Sequence, residues 1–84
     1  MSFADDVRRY VDVTYIQPAR ASGRSQLEVL VGDVHRELGY SNRYPLVCSA
    51  LGSLRFEDDY RVRRLSVEGP LNGASTLFRF EVLM

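Results

Sequence analysis

The sequence contains no lysine, one cysteine and one histidine. Its 11 basic residues are all arginines, and 11 acidic residues balance them, so the formal net charge is zero. A neutral chain is poorly suited to strong nonspecific binding of nucleic acid, because that binding grows with the number of phosphates neutralised. Arginine nevertheless suits specific contacts, since its planar fork binds phosphate and guanine better than the lysine ammonium does.

The scarcity of cysteine and histidine argues against a metal centre or an enzyme. Cys48 has no second cysteine for an internal disulfide, and His35 is the one other side chain of this kind, so no metal-ligand set is present. His35 has no serine, cysteine or carboxylate pattern around it that indicates general-base catalysis. We therefore expect no catalytic activity and no cofactor, with His35 on a helix surface and Cys48 as a small helix residue.

Long apolar runs are absent too, since none approaches the ~20 residues that cross a bilayer. The N-terminal residues include Asp5 and Asp6, whereas a secretory signal begins with basic residues. The glycines also form no phosphate-binding loop. We therefore expect a cytoplasmic protein without a membrane partner or a small-molecule substrate. At 84 residues, the chain is expected to form a single domain, 1–84, around one modest core.

Segment 32–51 predicts two short helices around a tight turn, and it organises the rest of the chain. The first helix is expected over 33–38, because Val34 and Leu38 have helical spacing and Gly39 can adopt the left-handed conformation that ends a helix. A connection of about three or four residues follows, which is the length found in a helix-turn-helix.

The second helix of the pair is expected over 42–54. Ser41 or Asn42 can cap it, and Pro45 falls in its first turn, where a missing N–H is tolerated. An apolar stripe is expected to face the core and consists of Leu46, Val47, Ala50, Leu51 and Leu54. The opposite face has small side chains that permit close approach to another surface, namely Pro45, Cys48, Ser49, Gly52 and Ser53.

Helical periodicity also predicts a first helix over 3–15, then a bend before Pro18 and one further helical turn ended by Gly23. Segment 26–31 is expected to form a short strand. After the helix pair, segment 55–59 either finishes the second helix or forms a loop, with Phe56 beneath it.

Two further strands are expected to form a C-terminal hairpin, over 61–67 and 76–83. A change of parity between Val62 and Leu65 indicates a bulge in the first of them. Alternation in the second directs Phe78, Phe80 and Val82 to one side. The intervening segment contains Gly-Pro and Asn-Gly, which are typical of turns.

This order of elements resembles the winged helix-turn-helix superfamily over nearly the whole chain. The resemblance implies an α+β fold with three helices, a short strand and a C-terminal β-hairpin, the wing. It also implies binding of double-stranded DNA, with the helix over 42–54 in the major groove and the wing loop, 69–75, against the backbone or the minor groove. The loop departs from many family members because its tip has no arginine or lysine, which weakens the expectation of minor-groove contact.

Candidate DNA contacts fall into three sets. Asn42 and Arg43 are expected to contact purine edges, although Asn42 also suits a helix cap and Arg43 a solvated or ion-paired position. Side chains that can donate to phosphates are Ser41, Tyr44, Ser49 and Ser53. Tyr44 is as well suited to packing against the first helix, and Ser49 and Ser53 to being small exposed residues.

The third set is the densest basic cluster, Arg61, Arg63 and Arg64, which is expected to hold the DNA backbone. Its alternative is a solvated face neutralised by the acidic segment 57–59. We expect a small transcription regulator or the DNA-reading part of a larger assembly. A homodimer through Leu30, Leu77 and Leu83 is a companion hypothesis, although these leucines are equally suited to lying under the first helix. A winged-helix module that binds protein instead of DNA is the main alternative.

Overall fold

The chain begins with a helical segment that runs without a break from residue 3 to residue 21. The computed structural model describes residues 2–83, and its first elements are α1 (Phe3–Val11), a π-helical turn (Asp12–Ile16) and α2 (Gln17–Ala21). Val7 and Val11 of the face that helical periodicity predicts are fully buried, whereas Phe3 on the same face is 50% exposed. Ile16, which is also fully buried, lies outside that predicted face.

The bend expected before Pro18 is wrong. The backbone N–H of Gln17 donates to the carbonyl of Asp12, five residues earlier, so a wide turn inside the helix accommodates the proline. Pro18 is the second residue of α2, so its missing N–H falls directly after this wide turn. Gly23, at φ 74°, follows the end of the helical segment.

An antiparallel sheet of three strands has the order β1–β3–β2. The strands are β1 (Gln26–Leu30), β2 (Val62–Glu68) and β3 (Leu77–Val82). The central strand, β3, buries Phe78, Phe80 and Val82 on one face, which confirms the predicted alternation. The predicted bulge in β2 is also confirmed and lies between Arg64 and Ser66.

Three helices lie between β1 and β2 in the sequence: α3 (Val31–Glu37), α4 (Tyr44–Leu51) and α5 (Leu54–Tyr60). The second helix of the predicted pair was expected to continue to Leu54, but α4 ends at Leu51. The Ser53 side chain accepts the N–H of Phe56 at 3.2 Å and so begins a separate helix. Leu54 consequently leaves the apolar stripe and is 76% exposed.

The core lies between the helices and the inner face of the sheet. Val47, Ala50 and Leu51 of α4 are buried as predicted. Phe56 of α5 is fully buried, with its ring centroid 5.3 Å from that of Phe80. Cys48 was expected on the opposite face of α4, yet it is only 8% exposed, while Pro45 and Ser49 on that face are exposed.

The β2–β3 loop is held close to the start of α3. Gly32 donates its N–H to the carbonyl of Ala74 at 3.0 Å, and Val31 donates to Thr76 at 2.9 Å. A Cβ atom on Gly32 would lie 2.7 Å from the Ala74 oxygen, so only glycine permits this approach. The loop and the helix pair are therefore linked by direct backbone contact.

These elements form a small α+β domain with an antiparallel sheet. No helix within residues 2–83 has both the length and the apolar character needed to span a membrane.

Candidate nucleic-acid interface

The connection between α3 and α4 contains two left-handed residues, Gly39 at φ 73° and Asn42 at φ 54°. Arg43 occupies the position just before α4, and no side chain caps that helix. The predicted cap by Ser41 or Asn42 is therefore wrong. Asn42 instead uses its tolerance of the left-handed conformation to turn the chain.

His35 holds this connection from inside. Its side chain is buried, at 6% exposure, and its Nε2 atom accepts the backbone N–H of Arg43 at 3.0 Å. The His35 ring stacks on Tyr44, with centroids 4.0 Å apart and planes 22° apart. The expected surface position of His35 is wrong. Its spacing of four residues from the buried Val31 is the signal that places it on the inner face of α3.

Arg43 extends across the surface beside the connection. Its guanidinium carbon lies 4.6 Å above the centroid of the Phe3 ring, and the edge of Phe3 meets Tyr40 at 5.8 Å between centroids. A cation placed over an aromatic face is held there while its in-plane N–H groups still point outward. Phe3, which is 50% exposed, was not among the predicted site residues, because nothing in the sequence relates residue 3 to residue 43.

A groove of about 600 Å³ separates the α3–α4 connection from the β2–β3 loop. Its polar lining includes Asp33, Arg36, Ser41, Asn42 and Tyr44, and Ala74 lines it from the loop. Three of the predicted contact residues, Ser41, Asn42 and Tyr44, therefore share one concave surface. Arg36 is paired with Asp33 at 2.9 Å, so the groove is not strongly cationic.

The two predicted serines on the second helix differ in their surroundings. Ser49 is exposed on α4. Ser53 accepts the N–H of Phe56 and donates its hydroxyl to the carbonyl of Ala50 at 2.9 Å. Because these two contacts join α4 to α5, Ser53 has a structural role at this position.

Arg61, Arg63 and Arg64 do not form one cationic surface. Arg61 lies before β2 rather than in it, and it ends α5 in the left-handed conformation at φ 57°. Arg63 forms an ion pair with Glu81 on the neighbouring strand. Arg64 donates its guanidinium to the carbonyl of Gly52 at 3.3 Å, which lies just after α4. A cation at that end of a helix complements the helix dipole.

The outer face of the sheet continues this pattern of paired charge. Arg79 of β3 lies between two carboxylates, that of Glu28 on β1 and that of Glu68 on β2, at 3.3 Å from the latter. Together with the pair of Arg63 and Glu81, these contacts join all three strands. Cross-strand pairs of opposite charge stabilise a sheet but leave little positive potential outside it.

Two tyrosines converge on the last residue of α3. The hydroxyls of Tyr10 and Tyr15 donate to the same carboxylate oxygen of Glu37, at 2.7 and 3.0 Å. The bond to Glu37 raises the pKa of Tyr10, and burial followed by the same bond raises the pKa of Tyr15. Burial and the charge of Asp6 raise the pKa of Tyr40.

Within residues 2–83 no three histidine, cysteine or acidic side chains come together in a way that would hold a metal ion. Comparison with known proteins adds no family to this description. No family model, no curated protein and no solved structure matches the chain.

Proposed function

We propose that this domain binds double-stranded DNA in the manner of a winged helix, with α4 entering the major groove and the β2–β3 loop lying alongside. The main support is that the 41–43 segment is exposed at the start of α4 and shares a groove with that loop. The sheet order β1–β3–β2 also places the hairpin next to the helix pair through the contact between Gly32 and Ala74.

Ser41, Asn42 and Arg43 have the chemistry for the central contacts. Asn42 offers an amide for adenine, and Arg43 offers a fork for guanine or phosphate. The Phe3 ring restrains Arg43, so less side-chain freedom is lost when the guanidinium binds. The start of α4 has no side-chain cap, which leaves amide groups that attract a phosphate oxygen. Ser49 lies further along the same helix and is exposed.

The hairpin arginines have a smaller part in this proposal than the sequence indicated. Arg63 and Arg64 already have partners, Glu81 and the carbonyl of Gly52, and DNA phosphates would have to compete with these partners. We therefore assign DNA contact to the 41–43 segment and Ser49, with Tyr44 lining the groove. Ser53 is left out because its hydroxyl is used within the protein.

A fluorescence anisotropy titration tests the proposal. The protein is titrated against labelled duplexes of random sequence at low salt, and the titration is repeated at increasing salt. Since Arg43 is the one cation among the assigned contacts, we expect about one phosphate to be neutralised, and the slope of log K against log salt should be about −1. Failure to bind duplex DNA at low salt, or an affinity that does not change with salt, would contradict DNA binding.

A protein-docking module is the second candidate. Leu54 and Leu71 are 76% and 71% exposed, and exposed leucines are more useful to a protein partner than to DNA. The paired arginines on the sheet also suit a protein surface. The DNA titration separates the two candidates, and substituting Leu54 with serine should leave DNA affinity unchanged if the first is correct, because Leu54 lies outside the assigned DNA contacts.

The proposal also includes the association of the domain with a second copy or with a larger assembly. A single module of this kind buries only about 600–1,000 Å² of protein on DNA, so a dimer or a larger assembly would extend the site. Leu30 and Leu77 are half-buried and Leu83 is 37% exposed, and we propose them as a contact between two copies. Sedimentation equilibrium with Leu83→Glu as the control variant tests this contact.

A further inference from the structure

The two edge strands of the sheet, β1 and β2, differ in how their outward backbone groups are protected. On β2, the bulge between Arg64 and Ser66 interrupts the ladder, and the outward N–H of Arg64 is accepted by Glu57 at 2.9 Å. Bulges and side-chain cover of this kind protect an edge from pairing with another strand. The edge of β1 has neither feature.

The register of β1 shows which backbone groups are left open. The N–H of Val82 donates to the carbonyl of Ser25 at 2.8 Å, and that of Val31 donates to Thr76 at 2.9 Å. In an antiparallel pair, alternate residues bond to the partner strand, so the backbone groups of Gln26 and Glu28 point away from β3. Neither N–H has an acceptor within residues 2–83.

A cleft of about 560 Å³ runs along this open edge. One wall is formed by the consecutive strand residues 26–28. Because neighbouring strand residues point to opposite faces, a cleft that touches all three must follow the edge between those faces. The other wall belongs to the N-terminal helical segment and includes Tyr15, Pro18, Ala19 and Ser22.

The charge of the cleft indicates what it would accept. Arg24 and Arg79 line it together with Glu28. Arg79 is paired with Glu28 and Glu68, but Arg24 is exposed and has no ion-pair partner among the described residues. The lining therefore has an excess of one positive charge, located at Arg24.

We propose that this cleft binds an extended, acidic peptide segment of a partner protein, which adds to β1 as a further strand. The backbone groups of Gln26 and Glu28 bond to the peptide backbone, as in other cases of strand addition. An apolar peptide side chain packs on Pro18 and Tyr15, and a peptide carboxylate pairs with Arg24. The cleft is separate from the 41–43 segment, so peptide binding does not depend on DNA binding.

Solution NMR of the ¹⁵N-labelled protein tests this inference with a defined probe. The probe is an acetylated and amidated pentapeptide with glutamate at its centre, valine on each side and threonine at both ends. We expect saturable shifts in the amides of residues 15–28 and slower hydrogen exchange at Gln26 and Glu28. Shifts elsewhere on the protein, or none at millimolar peptide, would overturn the inference.

Matched variants separate backbone pairing from general contact. Gln26→Pro removes one outward N–H at the first residue of an edge strand, where proline is tolerated, while Gln26→Ala keeps that N–H. Loss of one hydrogen bond should weaken the peptide about fivefold in the proline variant, and the alanine variant should bind like the parent. Equal binding by both variants would contradict strand addition.

Changes to the peptide avoid any effect on protein folding. Methylation of the peptide nitrogens that face β1 should abolish the shifts on the unaltered protein, because it removes the donors. Replacing the central glutamate with lysine should weaken binding, and Arg24→Glu should reverse the preference between the two peptides. Shifts at Gln26 and Glu28 that depend on protein concentration without peptide, and that persist in the Leu83→Glu variant, would identify a second copy as the occupant and contradict the proposal.

Discussion

The α3–α4 connection and the β-hairpin were both expected to contact DNA, and they differ in how their arginines are placed. At the connection, Arg43 lies on an aromatic ring, and no acidic side chain within residues 2–83 pairs with it. On the hairpin, Arg63 and Arg79 are paired with carboxylates of neighbouring strands. A count of basic residues favours the hairpin, whereas the contacts favour the connection.

The two regions are also stabilised differently. The connection depends on a few buried groups around His35, so removing one of them should have a large effect. The hairpin depends on a ladder of strand pairs and several exposed ion pairs, each of which contributes little by itself. Four predictions test this contrast, from the largest expected effect to the smallest.

Substituting His35 with alanine should destabilise the protein most. The change removes the acceptor for the Arg43 N–H and the ring that stacks on Tyr44, so we expect a loss of about 2–4 kcal/mol in the free energy of unfolding. Chemical denaturation followed by circular dichroism measures it. Arg36→Ala is the control on the same helix and should change stability by less than about 0.5 kcal/mol. Equal effects would show that His35 does not hold the connection.

Substituting Gly32 with alanine should disturb the link between the two regions. The added Cβ would meet the carbonyl oxygen of Ala74 at 2.7 Å, so the loop must move away at a cost of about 1–3 kcal/mol. Gly73→Ala is the matched control in the loop, where the added atom has only an ordinary contact at 3.9 Å. Thermal unfolding of both variants measures the difference, and a Gly32 variant as stable as the control would contradict a tight link.

Arginine substitutions compare the two regions in DNA binding. Arg43→Ala should weaken the affinity for a preferred duplex by about 1–3 kcal/mol, because a direct contact is lost. Arg63→Ala should weaken it by less than about 0.5 kcal/mol, since Glu81 already neutralises that guanidinium. Anisotropy titrations at one salt concentration measure both affinities. A larger effect at Arg63 would return the main contact to the hairpin.

The smallest effect concerns the tyrosines that anchor the end of α3. The pKa of Tyr10 is raised above 10.0, chiefly by its bond to Glu37, so this bond stabilises the fold fully below pH 10 and is lost as pH rises through the raised value. Glu37→Gln should lower the pKa of Tyr10. The pKa of Tyr15 should fall by a smaller part of its rise, because burial is the largest cause of that rise and remains in the variant.

Site-resolved NMR titration of the tyrosine rings measures these changes. Tyr40 is the internal control, since its raised pKa comes from burial and Asp6 and not from Glu37. A Glu37 variant in which all three midpoints stay unchanged would show that the bonds to Glu37 do not persist in solution.

Much of the fold follows from local patterns in the sequence. The alternation in β3, the bulge in β2 and the left-handed Gly39 each depend on residues close together in the chain, and all three are confirmed. The end of α4 was predicted wrongly because the apolar spacing in the sequence continues to Leu54. In the structure Ser53 caps the next helix, and this cap ends α4 before Leu54.

The candidate site was harder to predict because its contacts join distant segments. The partner of Arg43 is Phe3, and that of Arg63 is Glu81, neither of which is near it in sequence. The sequence pattern therefore identified the arginines as candidate contacts, but it did not show which of them are paired with a carboxylate. The helical spacing of His35 from Val31 could have predicted that His35 is buried. Its polar side chain instead favoured the prediction of a surface position.

Mapping a duplex onto the ¹⁵N-labelled protein by NMR tests the proposed interface most directly. If the connection contacts DNA, amide shifts and line broadening should concentrate on residues 41–44 and on Ser49, with small changes on the outer sheet face around Arg63 and Arg79. Shifts centred on the sheet face, with residues 41–44 unchanged, would contradict the proposed interface.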